Sequence, residues 1–98
     1  MKRVVRTTPY TANLDAIEAE IAQDNPTAAL DLWLHIDDQV SSLVDENFPR
    51  RRGRVKGTKE LVAHKNYIVI LEEDDATVTV LNVVHARRQW PPKVKRKK

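Results

Sequence analysis

Apolar residues recur along this chain with two different periods, and the change of period divides it in half. From Tyr10 to Asp24 the positions Leu14, Ile17 and Ile21 fall at helical spacing with alanines between them, which predicts an amphipathic helix with Thr11 as its N-cap. Asn25-Pro26 then predicts a break and a restart. Asn accepts from the free amides of a helix start, and Pro fits the first helical position because its missing N–H would have no partner there. A second helix is predicted from Pro26 to about Asn47. Ala29, Trp33, Ile36, Val40 and Leu43 form its stripe, Leu30, Leu34 and Val44 widen it, and Asp31, Asp37, Asp38, Asp45 and Glu46 fall on the side facing water.

Elsewhere the pattern is that of strands. Arg3 to Thr8 is β-branched, Glu60 to His64 and Tyr67 to Glu72 are short apolar runs, and Thr77 to His85 is the longest, with Glu73-Asp74-Asp75-Ala76 as a turn before it. Connections this short make neighbouring strands antiparallel. Arg50 to Lys59, which holds both glycines, reads as a loop. The order β-α-α-β-β-β predicts an α+β fold, a helical hairpin packed on one face of a mainly antiparallel sheet. Residues 1–91 are expected to form one domain, and 92–98 a basic, flexible tail.

Composition narrows the class. With 98 residues there is room for a single small core. No cysteine is present, so neither a disulfide framework nor a thiolate metal site is expected. The N-terminus lacks the apolar core of a signal peptide, and no apolar run approaches the roughly 20 residues that span a bilayer, so a cytoplasmic protein with no membrane contact is expected. Gly53 and Gly57 do not make a phosphate loop, because no Lys-Ser/Thr follows in frame before a helix; no cofactor or metal is expected.

Charge is segregated. Residues 11–48 carry nine acids and no Lys or Arg, whereas 49–98 carry fourteen Lys/Arg against five acids. Such asymmetry suits an anionic partner on the basic side, a phosphate backbone or an acidic protein segment, although the two halves could instead neutralise each other across the fold. The basic residues gather at two places: the loop with Arg50, Arg51, Arg52, Arg54, Lys56 and Lys59, and the exit of the last strand with His85, Arg87, Arg88 and Trp90. A buried strand would hold that exit in a fixed place, and the two sets are expected to share one surface that binds the target.

Several segments in order carry a resemblance. The helical hairpin opens with Leu14-Asp15-Ala16-Ile17-Glu18 and is followed by Asn25-Pro26-Thr27-Ala28-Ala29. Gly53-Arg54-Val55-Lys56-Gly57-Thr58-Lys59-Glu60-Leu61-Val62 comes next, then His64-Lys65-Asn66-Tyr67-Ile68-Val69-Ile70 and Val83-Val84-His85-Ala86-Arg87-Arg88-Gln89-Trp90-Pro91. Together they resemble the RelE/ParE toxin superfamily. The resemblance implies the toxin of a type II toxin–antitoxin pair, bound and blocked in a hetero-oligomer by a cognate antitoxin that carries apolar anchors and acids. RelE-like members cut mRNA at the ribosome without metal, and ParE-like members are not nucleases but inhibit DNA gyrase. RelE-like sequences usually carry an arginine directly after the tyrosine of the third strand, to serve the scissile phosphate. That position is Ile68 here, so the resemblance is nearer the ParE-like branch and to a protein that is not an enzyme.

The residues leave alternatives open. A ribosome-dependent mRNA endonuclease would need a base, an acid and cations on the phosphate, which His64, His85, Arg54, Arg87 and Arg88 could supply with Glu60 as a partner. The same histidines read more readily as strand ends bonded to backbone. Arg87 and Arg88 could pair within the chain, and the 50s loop could simply be solvated. A nontoxic nucleic-acid-binding domain is a further reading of the same basic face.

Overall fold

The computed structural model describes residues 1–87 and has the expected α+β architecture, with one strand more than the pattern predicts. The elements are β1 (Arg3–Arg6), α1 (Thr8–Ala22), α2 (Pro26–Ser41), a 3-10 turn (Ser42–Val44), β2 (Arg51–Arg52), β3 (Lys59–His64), β4 (Tyr67–Glu73) and β5 (Thr77–His85). The five strands form one sheet in the order β1-β5-β4-β3-β2. All neighbours are antiparallel except β1 and β5, which run parallel with Arg3 opposite Thr77 and Arg6 opposite Val80.

Helix starts explain the hairpin. Asn25 caps α2, its side chain accepting the Ala28 N–H at 3.1 Å, with Pro26 following at the first helical position. The start of α1 corrects the expectation of a Thr11 cap. Thr7 is the N-cap, its hydroxyl donating to the Val80 carbonyl at 2.7 Å and not capping the helix, and Pro9 sits in the first turn; Thr11 lies inside the helix and donates to the Thr8 carbonyl at 3.1 Å. The second helix also ends earlier than expected, at Ser41, where the chain tightens into the 3-10 turn that buries Leu43. Nothing in the apolar spacing marks this change, because a 3-10 turn keeps Leu43 pointing inward almost as an α-helix would.

The helices cover one sheet face. Tyr10 and Leu14 from α1, Ile36 and Val40 from α2, and Leu43 pack on Leu61, Ala63, Val69, Leu71, Val78, Val80 and Val83 of the sheet. Bulges between Val62 and His64 and between Ile70 and Leu71 shift the registers of β3 and β5 against β4. They keep His64, Tyr67 and His85 in one cross-strand row at the sheet end. Two expectations for α2 are corrected. Leu30 and Leu34 are half exposed, on the side of the helix away from the sheet. Asp37 does not simply face water: it accepts from the buried Tyr10 hydroxyl at 2.9 Å and pairs with Arg6 of β1 at 2.8 Å, so it ties α1, α2 and β1 together. Trp33 packs against the core edge while its indole N–H donates to Asp15 at 2.9 Å.

Candidate functional site

The 50s loop is held open by carboxylates underneath it. Glu60 is 2% exposed and, as register partner of Arg51, lies on the sheet face opposite Leu61. Arg51 donates to its Oε1 through both Nε (3.1 Å) and Nη2 (3.0 Å), and the Arg54 N–H donates to Oε2 at 3.2 Å. Gly53 closes the loop by donating to the Thr58 carbonyl at 2.8 Å; a Cβ there would stand 2.1 Å from Thr58 Oγ1. Gly57 turns the chain with a φ of +87°, where side chains are strained.

A second buried carboxylate lies at the same end of the sheet. Glu73 of β4 takes Lys2 at 2.7 Å, Lys59 at 3.2 Å and Arg50 at 3.4 Å. Burial alone would push its pKa up, but Lys2, Lys59 and Arg50 outweigh it and hold the carboxyl below its ordinary value. Arg50 is itself 6% exposed and also donates to the Leu43 and Asp45 carbonyls, so it is a packing cation rather than part of an open surface. Beside Glu73 a cleft of about 590 Å³ opens, lined by Arg50, Arg51, Arg52, Arg54, Lys56 and Lys59. Arg52 and Lys56 are exposed and have no ion pair among the described residues.

At the other end of the sheet stand the chain's three histidines and a tyrosine. Ring centroids of His35 and His64 are 6.2 Å apart, His64 and Tyr67 6.0 Å, and Tyr67 and His85 5.1 Å. His64 Nδ1 accepts the Asn66 N–H at 3.0 Å and His85 Nδ1 accepts the Arg87 N–H at 3.1 Å. In a neutral ring this leaves the proton on Nε2, so neither outward nitrogen is a free base. Burial first, and then the charges of His35 and Lys65, push His64 below the ordinary histidine value. Among the described residues no group of His, Asp or Glu is placed to hold a metal ion, and no helix is long and apolar enough to cross a membrane.

The described parts of the two cationic regions stand at opposite ends of the sheet. Arg52, Lys59, Leu71 and Val80 form one cross-strand row, and His64, Tyr67 and His85 another, five residues further along β3. At about 3.3 Å per residue the rows are about 16 Å apart. Arg54 therefore belongs to the cleft and does not reach the histidines. Arg87 stands at the histidine end, while Arg88, Trp90 and the expected tail at 92–98 lie outside the described residues.

A family model described as the ParE toxin of the type II toxin–antitoxin system parDE matches residues 4–90. The chain belongs to the ParE toxin family. A protein of Sinorhizobium fredii named "Putative toxin Y4kP" is 36% identical over 90 residues, which cover 92% of this chain and 94% of that protein. Among solved structures, one described as the chromosomal ParDE TA system from P. aeruginosa superposes with a TM-score of 0.76 at 22% identity, covering 87% of this chain and 96% of that one, which supports the fold. As a ParE-family toxin the chain holds Ile68 6% exposed, opposite Val62 and Val84. Sequence reasoning missed Glu73 in the cleft and Lys2, which pairs with it. Lys2 just before β1 and Glu73 at the end of β4 are charged residues at strand ends, which by itself says nothing about which of them meet.

Proposed function

We propose that this ParE-family toxin arrests growth by inhibiting DNA gyrase through direct contact, and that a small antitoxin encoded with it keeps it silent. The observation that carries the choice of target is Ile68. A buried aliphatic side chain stands directly after Tyr67, at the position from which a guanidinium would have to reach a scissile phosphate. The neighbouring chemistry agrees. His64 and His85 spend Nδ1 on backbone amides, and Arg54 stands about 16 Å along the sheet from them, which leaves Arg87 as the described arginine of the ribonuclease set at the histidine end.

The antitoxin reading follows the ParDE pairing named for the family and for the P. aeruginosa structure. Its apolar anchors have places to go. Leu30 and Leu34 are each 52% exposed one turn apart on α2, and Val62 is 50% exposed beside a hollow of about 510 Å³ floored by Phe48, Pro49 and Leu61.

The deciding experiment adds purified protein to gyrase and relaxed plasmid, with primer extension on translated mRNA in parallel. Loss of supercoiling or accumulation of gyrase-cleaved DNA is expected, with no new mRNA 5′ ends. Unaffected gyrase at saturating toxin would end this reading, and new 5′ ends during growth arrest would replace it with a ribonuclease.

A further inference from the structure

We infer that the cleft beneath the 50s loop is a phosphodiester-binding site, adjoining the hollow offered to an antitoxin anchor, with which it shares Arg50 and Arg51. Six cations line it, and the carboxylates within reach, Glu60 and Glu73, are each 5% exposed or less. Each carboxylate is already covered by cations: Glu60 by Arg51 and Arg54, Glu73 by Lys2, Arg50 and Lys59. What faces solvent is positive. Arg51, Arg54 and Lys59 are 54%, 49% and 48% exposed, so the buried carboxylates fix their stems while the outward N–H groups stay available. Guanidiniums anchored in this way lose little freedom on meeting an anion.

Arg52 and Lys56 complete the arrangement. They extend from the loop without any internal acid, one on the short edge strand and one in the turn that Gly57 closes. Unpaired cations beside paired ones in a concave site suit successive phosphates on a backbone better than a single carboxylate.

An acidic segment of the antitoxin is the competing occupant. A tight protein interface draws its affinity from buried apolar anchors. Apart from Met1, the large apolar side chains exposed among the described residues are Leu30, Leu34 and Val62, and none of them lines the cleft. Nucleic-acid interfaces are polar and strongly positive, as this cleft is. The inference deepens the gyrase reading, with which it implies that DNA held by the enzyme forms part of what the toxin recognises.

The test titrates the full-length protein into a fluorescent duplex of about 20 base pairs over a range of salt, beside an RNA single strand of equal length and a poly-glutamate peptide. The variant is Arg52→Ala with Lys56→Ala, two exposed side chains without internal partners, and its thermal melt should match the wild type. Two lost phosphate contacts should lower the slope of log K against log salt by about 2 and weaken duplex binding by roughly tenfold or more near 0.1 M salt. A preference for RNA with the same loss in the variant would keep the phosphodiester site and assign it to RNA. An unchanged slope and affinity would overturn the proposal, and so would binding of poly-glutamate alone with the same dependence on Arg52 and Lys56. Because this titration contains no gyrase, its failure and the failure of the gyrase reading are separate results.

Discussion

Arg51 and Glu60 are opposite each other in the β2–β3 pair, and the arginine sets both Nε–H and an Nη2–H on one oxygen of the glutamate, at 3.1 and 3.0 Å. The pair is lopsided: Arg51 is 54% exposed and Glu60 2%. Water can take over from Glu60 in solvating the arginine, but it cannot take over from Arg51 in solvating the glutamate. Arg51→Ala should therefore cost more than Glu60→Gln, about 2–3 kcal/mol against about 1 kcal/mol, because only the first strands a buried charge. Urea unfolding of both variants measures the difference, and equal costs would show that Arg54 alone can hold Glu60.

Acid should find Glu73. Its folded pKa lies below its unfolded value, so its contribution to stability is complete above the ordinary carboxylate range and is lost as pH falls through the lower, folded value. Glu73→Gln should flatten that acid limb. At neutral pH it should also cost about 3 kcal/mol, since Lys2 and Arg50, 12% and 6% exposed, would lose their counter-charge. Denaturation midpoints measured from about pH 7 down to about pH 3 should converge for wild type and variant at the acid end.

Base should find Tyr10. Burial, then its hydrogen bond to Asp37 and that residue's charge, push the phenol well above the ordinary tyrosine value, with Arg6 opposing. The folded state resists ionisation that the unfolded chain undergoes, so stability is intact below the ordinary tyrosine pKa and declines as pH rises beyond it. Tyr10→Phe should remove that alkaline loss and cost about 1 kcal/mol at neutral pH, the worth of one hydrogen bond. A pH series of thermal melts reads both effects.

The two glycines of the 50s loop should respond differently to alanine. At Gly57 there is open space around a would-be Cβ and only the positive φ to overcome, about 1 kcal/mol. At Gly53 the new atom would meet the carbonyl carbon and oxygen of Thr58, each at 2.9 Å, as well as its hydroxyl. Backbone has to move there, and with it the mouth of the cleft. Gly53→Ala should thus weaken duplex binding more than Gly57→Ala at matched salt, which the same anisotropy titration measures.

Much of this fold was legible in the residues, and the failures have particular causes. The bounds of β5 and the Asn25-Pro26 restart matched because each rests on local chemistry, a long alternating strand and a capping side chain. β2 was invisible. Two arginines carry no apolar pattern, and their strand character comes wholly from pairing with Lys59 and Glu60. Leu30 and Leu34 were expected inside because they continue an apolar stripe, but the sheet is not wide enough to cover that flank of α2. The spacing between the loop cations and the histidine end was not legible, for a deeper reason. Charge composition says how many arginines there are, while cross-strand register says which end of the sheet each occupies, and register is set by non-local pairing. The likeness to the toxin family was readable from the order of segments, and the family match over residues 4–90 agrees with it.

The parallel contact of β1 with β5 also ties completion of the fold to a pairing between distant parts of the chain. Arg3 to Arg6 have Thr77 to His85 as their sheet neighbour, so β1 waits for the last of the five strands before it can pair. Tyr10, Leu14 and the α2 stripe must wait for Val78, Val80 and Val83 before their core can close. Until Thr77 to His85 is in place the sheet lacks the strand that joins β1 to β4, so no surface that depends on the closed core can be complete.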